Sequence, residues 1–97
     1  MIEASVPRTT TRTQRGISLF LDRRREIERR TRNEWAVPSC SGAGIYLANV
    51  KTGACECPDA PHARSAGEVC KHVAAARLTM NHRAELRAMC RRERSRA

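Results

Sequence analysis

The chain is short of large side chains. Phe20, Trp35 and Tyr46 are its only aromatics among 97 residues, and many of the apolar residues that make up 40% of it are alanines, which bury little surface. So small a stock of core-forming residues points to one small domain that needs a staple, either disulfides or a metal. No stretch approaches the roughly 20 apolar residues of a membrane span. Met1-Ile-Glu-Ala lacks the basic start and apolar run of a signal peptide. The cysteines are five, an odd number, which excludes a complete internal disulfide framework. Cys55 and Cys57 are also too close in sequence to bridge each other comfortably. The expectation is a cytoplasmic chain with reduced thiols, where such patterns bind metal more often than they form disulfides.

Lysine is scarce as well, and nearly all of the net charge of +9 comes from arginine. The charge is unevenly spread. Residues 1–33 carry nine arginines against four acids, a net of +5; residues 34–69 have a net of −2; residues 70–97 carry eight bases against two acids, a net of +6. The basic residues therefore flank a slightly acidic centre.

Residues 1–15 are polar and rich in Thr and Arg, and read as a disordered basic arm. Residues 16–33 read as a basic amphipathic helix, with Ile17, Phe20, Leu21 and Ile27 on one side. Glu34 to Cys40 reads as a strand, and Pro38, which lacks an N–H, places it at a sheet edge. After a turn at residues 41–44, Ile45 to Val50 is the clearest strand, with apolar residues on both faces. Lys51-Thr52-Gly53 reads as a hairpin loop with Gly53 at positive φ. Ala54 to Cys57 returns as a short strand, and residues 58–68 form a loop. A helix starts near Lys71, breaks or bends at Asn81-His82, and continues as a basic extension over 81–97 with Leu86, Met89 and Cys90 on one face. The expected fold class is a small α+β domain: a short antiparallel hairpin or meander followed by a helix, ββα-like, with an additional N-terminal helix.

The chemistry lies in ACECPDAPHARSAGEVCKH, residues 54–72, which reads Cys-x-Cys, twelve residues, Cys-x-His. Cys-x-x-Cys, which a redox site would show, is absent, as are the His-x-Glu and Pro-Cys-x-x-Cys of zinc deaminases. No third group singles itself out to orient a catalytic Cys/His pair. A structural Zn²⁺ takes four N/S ligands in a tetrahedron, and Cys55, Cys57, Cys70 and His72 supply that set with no remainder. The geometry sets conditions. On an ideal strand Cys55 and Cys57 would have Cβ atoms about 7 Å apart, so the chain must bend there. Residues two apart in a helix lie about 200° apart around the axis, so Cys70 must precede the helix and His72 sit in its first turn. The thiolate then benefits from the helix N-terminus. His62 reads as a solvated loop residue, Cys40 as a strand-end residue and Trp35 as a core anchor.

Trp35-Ala-Val-Pro-Ser, Gly44-Ile-Tyr-Leu-Ala-Asn-Val, Gly53-Ala-Cys-Glu-Cys-Pro-Asp and Cys70-Lys-His-Val-Ala together resemble the SWIM-type zinc finger over about residues 34–78. The resemblance implies a compact ββα zinc module over residues 34–80 with Cys55, Cys57, Cys70 and His72 as ligands. It also implies a role in DNA binding or protein–protein contacts. It does not extend to the basic flanks, and no larger catalytic domain accompanies the motif.

Two functions follow as expectations. In the first, the zinc is structural and flanking arginines bind nucleic acid, DNA above all. Arg23, Arg24, Arg25, Arg29 and Arg30 would act from one helix, and Arg87, Arg91, Arg92 and Arg94 from the other. In the second, the chain is a protein-interaction adaptor for a larger DNA-processing complex. No enzyme is expected, because four protein ligands leave zinc no open position for water. No membrane or small-molecule partner is expected either.

Overall fold

A computed structural model of the chain describes residues 11–39 and 44–96. The order of elements is α1 (Arg12–Arg23), a 3₁₀ turn (Arg24–Glu26), β1 (Glu28–Arg29), β2 (Glu34–Pro38), β3 (Ile45–Asn49), α2 (Ala60–Ser65) and α3 (Lys71–Arg96). No helix among the described residues is long and apolar enough to cross a membrane.

Helix α1 starts earlier than its apolar periodicity suggests, so the arm expected over 1–15 is helical from Arg12; residues 1–10 lie outside the described residues. The cause is a capping box. Thr11 Oγ1 accepts from the Gln14 N–H at 3.1 Å, and Gln14 Oε1 accepts from the Thr11 N–H at 2.9 Å. The inward face is also different. Gly16 and Leu19 are buried, whereas Ile17 and Leu21 are exposed. The helix stops at Arg23 rather than running to residue 33. Ile27 takes an extended conformation and is fully buried, and that burial pulls the chain out of the helix and into the sheet.

The sheet is antiparallel in the order β1-β2-β3. β2 is therefore central, not an edge strand, and Trp35, Ala36, Val37 and Pro38 are all buried. Pro38 is tolerated because β1 is too short to reach it. The backbone N–H and C=O of alternate residues point to the same neighbour, and the Glu34 carbonyl accepts from Arg30 on the β1 side. The Pro38 nitrogen points that way too, but β1 pairs only with Trp35 and Ala36, so no ladder bond is lost. On the other side the Ser39 N–H donates to the Gly44 carbonyl at 3.0 Å. Cys40 and residues 41–43 of the expected turn lie outside the described residues.

β3 buries one face only, against the expectation of two. Ala48 is fully buried and Tyr46 half-buried, while Ile45 and Leu47 on the opposite face are exposed. Cross-strand pairing puts Trp35 with Ala48 and Val37 with Tyr46 on the covered face. α3 packs on this face, with His72 against Tyr46 and Arg83 over Trp35, and α1 packs chiefly on α3. Val73, Ala75, Ala76 and Thr79 are among its buried residues, and their small size allows close approach. α3 runs without a break through Asn81-His82. The Thr79 hydroxyl donates to the Ala75 carbonyl at 2.9 Å, and the His82 ring meets Phe20 of α1 edge-on at 5.8 Å. Trp35 is the core anchor expected of it, 3% exposed, with the Arg83 guanidinium 5.3 Å above its ring.

Candidate metal centre

Each half of the Cys/His motif is delivered by a turn that the local sequence dictates. After β3, Asn49 Oδ1 accepts from the Lys51 and Thr52 N–H groups, both at 2.9 Å, and Gly53 takes φ 84°. The chain reverses and Cys55 pairs with Ala48 in a single antiparallel bridge. The expected return strand is thus reduced to that bridge. The chain bends at once, as shared ligation requires, and a turn follows in which the Ala60 N–H donates to the Cys57 carbonyl at 3.2 Å.

The segment between the two ligand pairs is not all loop. Asp59 precedes α2, and Pro61 lies in its first turn, where its missing N–H costs nothing. Ala60 and Ala63 are buried, His62 is exposed, and Gly67 at φ 73° turns the chain back. Cys70 then directly precedes α3, its carbonyl accepting from Ala74 at 3.0 Å, and His72 lies in the first turn.

Among the described residues, Cys55, Cys57, Cys70 and His72 form a cluster whose ligand atoms all lie within 4.8 Å of one another. In a tetrahedral zinc site, bonds of about 2.0–2.3 Å leave ligand atoms roughly 3.5–3.8 Å apart. The cluster needs only a small contraction to close on an ion. Cys70 Sγ and His72 Nδ1 are already 4.0 Å apart. Cys57, Cys70 and His72 are buried, and His72 Nε2 is buried with no hydrogen-bond partner among the described residues. A buried imidazole whose nitrogens meet only a sulfur contact or nothing is costly to fold. An ion on one lone pair supplies what the protein does not. The residues fit a metal of the soft or borderline kind that thiolates and imidazole select.

The three thiols differ. The Cys70 thiol is held well below the ordinary cysteine range, chiefly by the hydrogen bond from Cys55, with further support from His72 and the Val73 N–H at the start of α3. Cys55 is pushed up because its proton is held in that same bond, and Cys57 is pushed up by burial. Tyr46 covers the imidazole, with ring centroids 4.8 Å apart, and Lys71 beside it is half-buried.

One residue in contact with this segment had no place in the motif. Arg12 Nε and Nη2 donate to the two carboxylate oxygens of Asp59 at 2.8 and 3.1 Å, and Nη1 donates to Glu68 Oε1 at 2.7 Å. These bonds keep Asp59 below the usual carboxylate range. The four-residue signal Thr11-Arg-Thr-Gln14 would have placed Arg12 on a helix, though not its partners.

The arginines expected on two helices are distributed otherwise. Arg23 ends α1 and pairs with Glu26, Arg24 and Arg25 lie in the 3₁₀ turn, Arg29 is in β1 and Arg30 follows it. Arg24 lies 5.8 Å from the Phe20 ring centroid, Arg29 donates to the Thr31 and Arg32 carbonyls, and Arg30 is 4.0 Å from Glu28. Arg87, Arg91 and Arg92 are exposed on α3, and Arg94 belongs to the same helix. Arg77 turns inward, its Nε donating to the Val50 carbonyl at 2.8 Å. Cys90 is exposed on α3, away from the cluster. No protein-family model, no curated protein and no solved structure matches the chain.

Proposed function

We propose that the chain is a SWIM-type module in which Cys55, Cys57, Cys70 and His72 hold one structural Zn²⁺ and exposed arginines bind nucleic-acid phosphates. The observation that carries the metal half is the convergence of all four candidate ligands within 4.8 Å. Four protein ligands fill zinc's coordination shell, so the ion serves folding rather than catalysis. It would fix the hairpin from β3 to Cys57 against the start of α3 and so set the direction of that helix.

The nucleic-acid half rests on charge. Arg87 and Arg91 are one helical turn apart and exposed on the distal half of α3, and Arg25 is exposed in the 3₁₀ turn that follows α1. Guanidinium groups bind phosphate bidentately, and contacts of this kind displace condensed counterions. The test combines zinc stoichiometry with duplex DNA binding over a salt series. One zinc per chain is expected. With three phosphate contacts the affinity should fall about 40-fold between 50 and 200 mM salt. Replacing Arg87 and Arg91 together by Ala should reduce the slope of log affinity against log salt by about 2. Affinity that ignores salt would end this reading.

A second reading, the protein adaptor, is supported by the apolar surface of the same helix, where Leu86 is 46% and Met89 51% exposed. Pull-down of a partner that survives nuclease treatment would favour it.

A further inference from the structure

Arg12 is separated by over forty residues from the first candidate ligand, yet its guanidinium spans the ligand segment. Asp59 lies two residues after Cys57, and Glu68 lies two residues before Cys70. A single side chain thus holds both flanks of the twelve-residue connection between the ligand pairs. The bond to Asp59 is a two-point fork, which fixes orientation as well as distance. Asp59 directs its carboxylate to Arg12 rather than capping α2, which it precedes, with no side-chain hydrogen bond to that helix. Arg12 is only 22% exposed, so the fork is partly shielded from solvent.

The other end of Arg12 is α1. This helix reaches the rest of the fold through Gly16 against Ala74, buried Leu19, and Phe20 on His82. All of those contacts are to α3 or the core. Arg12 joins α1 to the segment whose shape decides whether four ligands meet, and the charge of Arg15 on the same helix also acts on Asp59. Ordering that segment in advance removes part of the entropy a metal would otherwise have to overcome.

We propose that Arg12 is a positioning residue for the metal centre, and that metal binding and the docking of α1 are coupled through its bonds to Asp59 and Glu68. The inference rests on the metal reading above. Coupling of this kind is reciprocal: whatever factor Arg12 contributes to metal affinity, the metal returns to the docking of α1. Loss of the ion loosens the Asp59 and Glu68 flanks, Arg12 loses its anchor, and the Leu19 face of α1 lifts from α3.

The experiment uses the full chain with Zn²⁺ and has two readouts: zinc affinity by competition with a chromophoric chelator, and amide hydrogen exchange of α1. Arg12→Ala should weaken zinc binding about fivefold at unchanged 1:1 stoichiometry, a size set by partly exposed ion pairs. In the zinc-loaded protein its α1 amides should exchange faster by a similar factor. Arg12→Lys keeps the charge without the fork and should fall between wild type and Arg12→Ala. Chelation should speed α1 exchange in the wild type and do so less in Arg12→Ala. A wild-type 1:1 zinc complex with Arg12→Ala unchanged in both readouts overturns the clamp and leaves the metal reading standing. A wild-type chain that takes up no zinc overturns both. If Arg12→Ala does not fold, Asp59→Asn carries the same two readouts with the same decisive outcomes.

Discussion

Gly16 of α1 lies so close to Ala74 of α3 that a Cβ at position 16 would come within 2.5 Å of the Ala74 Cβ, and within 3.1 Å of the Lys71 carbonyl oxygen. Neither neighbour is the free end of a flexible side chain. The helix pair therefore depends on glycine for its spacing. Gly16→Ala would gain helix propensity of roughly 1 kcal/mol in an isolated helix. Here the clash should reverse the sign, for a net loss of about 1–3 kcal/mol by overpacking. Urea unfolding monitored by circular dichroism measures it. Ala74→Gly in the Gly16→Ala background should recover part of the loss, because it removes the closest atom. A stabilised Gly16→Ala protein would show that α1 does not pack where the structure places it.

Metal removal separates the two kinds of cysteine. Cys55, Cys57 and Cys70 belong to the cluster, whereas Cys90 is exposed on the distal part of α3. In structural zinc sites much of the metal's binding free energy is folding free energy. EDTA should therefore abolish the cooperative unfolding transition of the region around β3 and the start of α3. Cys70→Ser should mimic EDTA and lower zinc uptake below one per chain, and Cys90→Ser should leave uptake and stability unchanged. The check is zinc content by atomic absorption beside thermal melts of the three proteins. A melt indifferent to EDTA would remove the ion from the folding account.

The ligand quartet was legible because its spacing is itself chemistry: two pairs, each with a gap of one residue, need a bend at one end and a helix start at the other. The turn at Gly53 and the buried position of Trp35 were legible for similarly local reasons. What escaped was set at long range. Apolar periodicity continued past Arg23, but the helix ends there because Ile27 is worth more in the core as an extended residue than on a helix. β1 has two residues and forms by pairing with β2, not by its own propensity. Pro38 suggested an edge strand, and only the length of β1 shows why a central one accepts it. Asn81-His82 suggested a break, which the contact of His82 with Phe20 overrules. The partners of Arg12 carry no local signal at all.

A pH effect follows from the Arg23–Glu26 pair. Arg23 Nε and Nη2 donate to the two Glu26 carboxylate oxygens at 2.6 and 2.7 Å. The bond to Arg23, more than its charge alone, holds the Glu26 carboxyl below the ordinary value. A depressed carboxylate stabilises the fold fully above its unfolded pKa of about 4.3, and that contribution is lost as pH falls through the folded value. Both side chains are substantially exposed, so the effect on stability is small and should shrink further in high salt. The direct measurement is the carboxyl carbon titration of Glu26 by NMR. Its midpoint should lie below that of the same residue in Arg23→Ala, and equal midpoints would show the pair is not populated in solution.

Arg83 and Arg87 lie one turn apart on α3 and should respond oppositely to the same change. Arg83 Nη2 donates to the Ile27 carbonyl at 2.8 Å, and its guanidinium covers the Trp35 ring. Arg87 is exposed. Truncating Arg83 leaves the part-buried carbonyl without that donor and removes the cation from the indole face. The two effects together should cost about 1–3 kcal/mol. Arg87→Ala should change stability by less than about 0.5 kcal/mol, as surface substitutions do. The two variants should also separate in Trp35 fluorescence, which Arg83→Ala should shift as the ring loses its cover and Arg87→Ala should not. Under duplex DNA the order reverses, with Arg87→Ala reducing the salt slope and Arg83→Ala affecting binding only as far as it unfolds the protein. A folded Arg83→Ala protein with wild-type stability would place Arg83 with the surface arginines instead of the scaffold.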